Sequence, residues 1–258
     1  MKKALAIISF GTSYETGEKG IKAIEESLAK QFPEYDCFRA FTSNMIIKKL
    51  KREENIHIKT TKELLAYLKE EGYEEVICQP THMIHGVEFD KMMGQIQEFK
   101  GQFQVLKVGY PLLHELDDYK KCVELYETSG ILEQGDAVVL MGHGSDHFAG
   151  SAYSQMEKMF QVMGHNNVYM GTVEGFPTFE DVKEELSKKE YKRLVISPFM
   201  IVAGDHAYND LIGEEEDSWQ NQLKSLGYQT VPAMKGLGEY EEIAMIYGEH
   251  IRKAVTVK

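Results

Sequence analysis

Two histidines and a glutamate stand where a divalent ion could be held. His143 follows the apolar run 137–141, and His206 ends the stretch Leu194-Val195-Ile196-Ser197-Pro198 through Val202-Ala203-Gly204-Asp205-His206. Glu88 ends an earlier segment of the same layout, Val76-Ile77-Cys78-Gln79-Pro80 through Gly86-Val87-Glu88. A shift of 118 residues lays Pro80 on Pro198, Gly86 on Gly204 and Glu88 on His206. Two imidazoles and a carboxylate suit a divalent first-row ion such as Co, Ni, Fe or Zn. Histidine, with an ordinary pKa of about 6.5, also takes up protons near neutrality. Taken singly, each of the three is equally an ordinary polar residue of a strand-end loop. The repeat links Glu88 to His206 and favours a shared task. His82 and His85 lie in the loop leading to Glu88 and could line the same cleft; His147, four residues beyond His143, has a helical spacing.

The segment Gly142-His143-Gly144-Ser145 has two readings. Its glycines permit a tight turn before a helix, or they let backbone N–H groups approach an anion. It lacks the GxGxxG spacing of a dinucleotide site, and the chain has no P-loop, no GxSxG elbow and no HExxH zinc motif. No nucleotide is therefore expected. The remaining histidines, His57, His114, His165 and His250, lie in charged or helical surroundings and read as solvated.

The elements that must position these residues alternate short apolar runs with longer amphipathic stretches, the pattern of βα units around a parallel sheet. Strands are expected at 4–9, 36–41, 75–79 and 103–108, then at 137–141, 168–172, 193–197 and 229–233. Helices are expected at 20–31, 60–71, 180–189 and 238–255, and Leu64, Leu65 and Leu68 fall on one face of theirs. The fold expected is α/β: two similar Rossmann-like halves, each a central parallel sheet flanked by helices, with functional loops beyond the strands' carboxyl ends and the site in the cleft between them. Thr128-Ser129-Gly130 breaks a helical pattern, so the halves are expected at 1–128 and 129–258, the final helix packing back on the first.

At 258 residues and 43% hydrophobic, the chain has enough apolar material for two ordinary cores. Its net charge of -12 argues against nucleic acid or an anionic membrane surface as partner. Cys37, Cys78 and Cys122 form no CxxC pair, and two lie within or beside apolar runs, so they read as buried free thiols in a reducing cytoplasm. The opening apolar run at 4–11 is too short for a signal peptide and ends in Gly-Thr-Ser; it reads as a first buried strand. No stretch is long enough to span a membrane. Whether the chain is a monomer or a homo-oligomer is left open.

With these residues in hand, the chain resembles the anaerobic sirohydrochlorin cobaltochelatases of the cobalamin pathway, within the class II chelatase superfamily. Three motifs carry the likeness: Ser9-Phe10-Gly11-Thr12-Ser13-Tyr14, Met141-Gly142-His143-Gly144, and Val202-Ala203-Gly204-Asp205-His206 with Asp217-Ser218-Trp219 beyond. The resemblance implies a bilobal fold holding a tetrapyrrole, with His143, His206 and Glu88 as metal and catalytic residues. It implies ATP-independent insertion of Co(II) into sirohydrochlorin, with Fe(II) or Ni(II) as alternative substrates, as in related iron and nickel chelatases. The tetrapyrrole is expected at Phe10, Gly11, Thr12, Ser13, His82 and His85, its carboxylates meeting backbone N–H groups of the first loop. The alternative is a bilobal protein that binds metal or tetrapyrrole without turning it over.

Overall fold

The computed structural model describes residues 1–258. In chain order the elements are β1 (Lys3–Ser9), α1 (Glu15–Gln31), β2 (Asp36–Phe41), α2 (Asn44–Glu54), α3 (Thr61–Glu70), β3 (Glu75–Pro80), α4 (Val87–Gln97) and β4 (Val105–Val108). There follow α5 (Leu116–Ser129), β5 (Ala137–Gly144), α6 (Ser151–Val162), β6 (Val168–Glu174), α7 (Phe179–Ser187), β7 (Arg193–Pro198), α8 (Trp219–Ser225), β8 (Gln229–Pro232), α9 (Glu241–Arg252) and β9 (Val255–Thr256). The expected strands form within two residues of their ends, except that β5 runs three residues past the expected end to Gly144; continuous apolar runs are what a strand buried on both faces requires.

The first compact unit comprises residues 1–114 and 238–258. Its sheet has the order β2-β1-β3-β4-β9. The first four strands are parallel, and β9 adds an antiparallel edge through Lys107↔Thr256 and Val108↔Val255. Central strand β1 is buried throughout Ala4–Ile8, each residue at most 1% exposed. Helix α3 covers the sheet with Leu64, Leu65 and Leu68, all buried. Its start is set by a reciprocal cap, Thr60 with Glu63, which satisfies two backbone donors the helix cannot. The second unit, residues 115–237, has the order β6-β5-β7-β8, all parallel. The order matches that of β2-β1-β3-β4, so β3 and β7, the strands carrying Pro80 and Pro198, occupy corresponding places in their sheets. A second reciprocal cap, Thr178 with Asp181, starts α7.

The units divide differently from the expected 1–128 and 129–258. Helix α5 belongs with the second unit because its apolar face packs there: Tyr126 is 1% exposed and meets Phe160 edge-on at 5.5 Å. The final helix, α9, lies in the first unit beside α1, where Ser27 donates to Glu241 (2.7 Å) and Gln31 to the Ala244 carbonyl (3.3 Å).

Candidate functional site

In the second unit, β5 runs on past its apolar core to Gly144, so His143 is the penultimate residue of a strand rather than part of a loop. The strand continues because Gly144 still pairs with Glu174 of β6. Gly144 is held at φ +81°, and a Cβ there would lie 1.6 Å from the Glu174 carbonyl oxygen. Only glycine accommodates both demands. The loop after β7 delivers His206 to the start of a single π-helical turn, Ala207–Leu211. The rings of His143 and His206 stand 4.8 Å apart, centroid to centroid, and cross at 87°.

Each of these histidines has an oxygen at Nδ1. His143 Nδ1 lies 3.2 Å from the Gly144 carbonyl, and His206 Nδ1 lies 2.5 Å from Asp210 Oδ2. A carbonyl and a carboxylate can only accept, so in the neutral rings the proton sits on Nδ1 and Nε2 keeps its lone pair. Asp210 thus orients the ring that the sequence singled out, in the manner of carboxylate–histidine pairs that support metal ligands. Its signal was present as a His–Asp spacing of four on a helical segment, but the loop reading of this stretch hid it. Asp210 also lines a cavity of about 300 Å³ with Asp217, Glu180 and the stacked rings of Phe179 and Trp219.

In the first unit, Glu88 lies in the first turn of α4 behind the cap residue Gly86. Its carboxylate oxygens lie 3.4 and 3.5 Å from Lys91 Nζ, which also donates to the Thr42 carbonyl at 2.6 Å. Thr42 is the hub that sequence reasoning missed. Its N–H donates to Ser9 O (2.9 Å), its hydroxyl meets His82 Nε2 (3.3 Å), and the next residue, Ser43, donates to Phe10 O (3.1 Å). One residue therefore ties the Phe10–Ser13 loop, His82 and the Glu88–Lys91 pair together. Nothing in the type or spacing of Thr42 announces this, whereas Lys91 follows Glu88 at a helical spacing of three.

His82 is buried, and its Nδ1 has no hydrogen-bond partner. Burial, reinforced by the charge of Lys91, pushes its pKa down to about 4. His82 is thus neutral at physiological pH. In the first loop, Phe10 is exposed, Gly11 and Thr12 are buried, and Ser13 is half-buried. Thr12 Oγ1 accepts from Tyr14 N (3.1 Å), and Gly11 at φ +101° packs so closely on Phe41 that a Cβ would come within 2.6 Å of the ring. The first turn of α1 carries Glu15 and Glu18, which already complement its positive end.

His85 turns to other partners, described below. His147 does not share a helical face with His143, because His143 is on a strand. Instead, His147 Nδ1 accepts from Ala149 N (3.2 Å) and caps a short 3-10 turn. His250, expected to be solvated, is 1% exposed, with Nδ1 3.2 Å from the Tyr110 carbonyl. No helix is long and apolar enough to cross a membrane.

The chain is similar in sequence and in fold to known chelatases. Residues 3–256 match the family described as cobalt chelatase (CbiK). A sirohydrochlorin cobaltochelatase of Salmonella typhimurium is 37% identical over 259 residues, taking in 100% of this chain and 98% of that protein. The sirohydrochlorin cobaltochelatase CbiKC of Nitratidesulfovibrio vulgaris is 28% identical, covering 99% of this chain and 91% of its own length. Among solved structures, SirB from Bacillus subtilis with Fe3+ superposes with a TM-score of 0.69 at 14% identity, over 98% of this chain and 95% of that one. CbiX, described as the terminal enzyme of siroheme biosynthesis in denitrifying bacteria, gives 0.60 at 13% identity, over 98% and 99%. At those identities the two structures speak for the fold.

Proposed function

The chain belongs to the cobalt chelatase (CbiK) family and inserts Co(II) into sirohydrochlorin, and we propose that His143, His206 and Glu88 are the residues that handle the ion. The observation that carries this assignment is the crossed pair of imidazoles at 4.8 Å, each with its Nδ1 committed to an oxygen. The two Nε2 lone pairs are what a borderline divalent ion takes. Neutral imidazoles hold such an ion without the tenacity of a thiolate cage, and a chelatase must give its ion away.

Insertion also removes two protons from the pyrrole nitrogens of the ring. Glu88 is the proton acceptor in this reading, its carboxylate oxygens 3.4 and 3.5 Å from a Lys91 ammonium that is anchored at the Thr42 carbonyl. A positioned base of this kind contributes roughly a hundredfold or more in rate. Phe10 through Ser13 and His82, gathered about Thr42, are assigned to the tetrapyrrole. Insertion needs no nucleotide. The setting assigned is cytoplasmic, a reading supported by three cysteines that form no disulfide.

The test is anaerobic incubation of the purified chain with sirohydrochlorin and Co(II), following the change in tetrapyrrole absorption. His206→Ala and His143→Ala each lose most of the insertion rate while circular dichroism stays unchanged, since a half-exposed ligand contributes little packing. Near-normal insertion by the double variant refutes the assignment of the two histidines.

A further inference from the structure

A second group of imidazoles lies in the first unit. His85 Nε2 and His114 Nδ1 face each other at 2.9 Å. The His114 ring is stacked on Tyr110 at 3.7 Å and 4°, and the His85 ring is held edge-on by Phe89 at 4.6 Å. His250 closes the base of the group, 6.2 Å from the His114 ring, and is itself engaged at the Tyr110 carbonyl. His114 is exposed and His85 half-buried, so the pair is reachable from solvent.

We propose that His85 and His114 form a bidentate site for an exchangeable divalent first-row ion, of the class of Co(II) or Ni(II). The nitrogen spacing fits one. Two nitrogens at 2.0–2.1 Å from an ion, set at a right angle, are about 2.9 Å apart, which suits octahedral or tetragonal coordination. The rings now point at each other and share one hydrogen bond. A rotation about χ2, a broad torsion in histidine, turns both lone pairs onto a common point. Between two neutral rings, the one that carries the shared proton takes it on its other nitrogen instead; a further proton on His114 leaves to solvent as the ion binds.

The surroundings favour a cation without fixing it there. Burial and the neighbouring charge of His114 push the His85 pKa down to about 4, with Asp90 acting the other way. His85 is therefore neutral and ready as a ligand at physiological pH, and the negative charge of Asp90 attracts a cation to it. Two protein ligands with water completing the shell give an ion that exchanges readily. His85 precedes Glu88 by three residues, across the Gly86 cap of α4. An ion held there is a store at the threshold of the reaction; that role rests on the chelatase reading, whereas the binding itself does not.

The experiment is a Co(II) titration of the tag-free chain by equilibrium dialysis, with the pair probed by Cu(II) electron paramagnetic resonance. The His143→Ala, His206→Ala double variant is expected to keep one Co(II) per chain, and its Cu(II) spectrum to show two nitrogen couplings. Adding His114→Ala or His114→Asn weakens that binding at least tenfold, with the fold checked by circular dichroism. If the double variant binds no Co(II), or binds it equally well after either His114 change, the site does not exist. If the unaltered chain binds only the ion that His114→Ala removes, the His143–His206 assignment falls and this one stands. In the insertion assay, His114→Ala is expected to raise the Co(II) needed for half-maximal rate several-fold at an unchanged maximum. An unchanged requirement overturns the loading role.

Discussion

Removing the carboxylate behind His206 tests whether that ring works by orientation. Asp210 Oδ2 accepts from His206 Nδ1 at 2.5 Å within one π-helical turn. Without it, the ring loses both its preferred tautomer and its preferred angle, and Nε2 is no longer reliably the ligand. Changes at such supporting partners typically cost 10- to 100-fold in metal affinity. Here the two side chains are 32% and 43% exposed, so water offers Nδ1 a replacement acceptor and the loss sits at the lower end. For Asp210→Ala the expected cost is about tenfold, or about 1.4 kcal/mol. Asp210→Asn keeps an acceptor oxygen but not its charge, and should lose only a few-fold. The assay is the initial rate of insertion against Co(II) concentration. Half-saturation shifts by the stated factors, while the rate at saturating Co(II) stays within about twofold, because the chemistry on the ring is untouched. An Asp210→Ala variant with unchanged half-saturation refutes the argument that Asp210 sets the tautomer.

Three further outcomes are expected. Glu88→Gln should lose a substantial part of the insertion rate and regain only part of it at high Co(II), because a carboxylate contributes charge as well as coordination; unchanged affinity and rate would make the Glu88–His206 correspondence purely structural. Gly144→Ala should lower stability by about 2–4 kcal/mol, from a left-handed backbone angle and a contact with the Glu174 carbonyl that cannot be relieved by a side-chain shift; an unmoved urea midpoint counts against it. His82, held near 4 in the fold against about 6.5 unfolded, binds protons more readily when unfolded. Its neutral form therefore stabilises fully above pH 6.5, and that contribution is lost as pH falls from 6.5 through 4, by at most about 3 kcal/mol. Thermal midpoints between pH 7 and pH 4 should fall less steeply for His82→Gln than for the unaltered chain.

Much of this architecture was readable because it rests on apolar runs. Strands β1, β3, β5 and β7 are buried on both faces, and a strand so placed must be written in consecutive apolar residues. The repeat between β3 and β7 was likewise visible, because Pro80 and Pro198 end those strands at corresponding points. What escaped has no such signature. Strand β9 is two exposed residues at an edge, too short to show a period. Helix α5 precedes the apparent break at Thr128-Ser129-Gly130, yet the partner of Tyr126 is Phe160, far along the chain. Thr42 and Lys91 matter through hydrogen bonds to residues roughly forty to fifty positions away, and a linear pattern does not record such pairings. His143 reads as a loop residue in the sequence because its flanking glycines resemble a turn, whereas one of them continues the strand.

The pieces that complete the first unit leave the ribosome only after the whole of the second. Residues 115–237 are contiguous, so the second unit has its whole sequence available while the first still lacks α9 and β9. The second unit can thus fold before the first is complete, against the usual order in which the N-terminal domain folds first during synthesis. Until the final segment arrives, the β4 edge that pairs with Val255 and Thr256 is open, and the Ser27 and Gln31 side of α1 lacks its cover. An open sheet edge invites pairing with another chain. The first unit is thus begun before the second and finished after it, and residues 238–258 serve as its closing clasp.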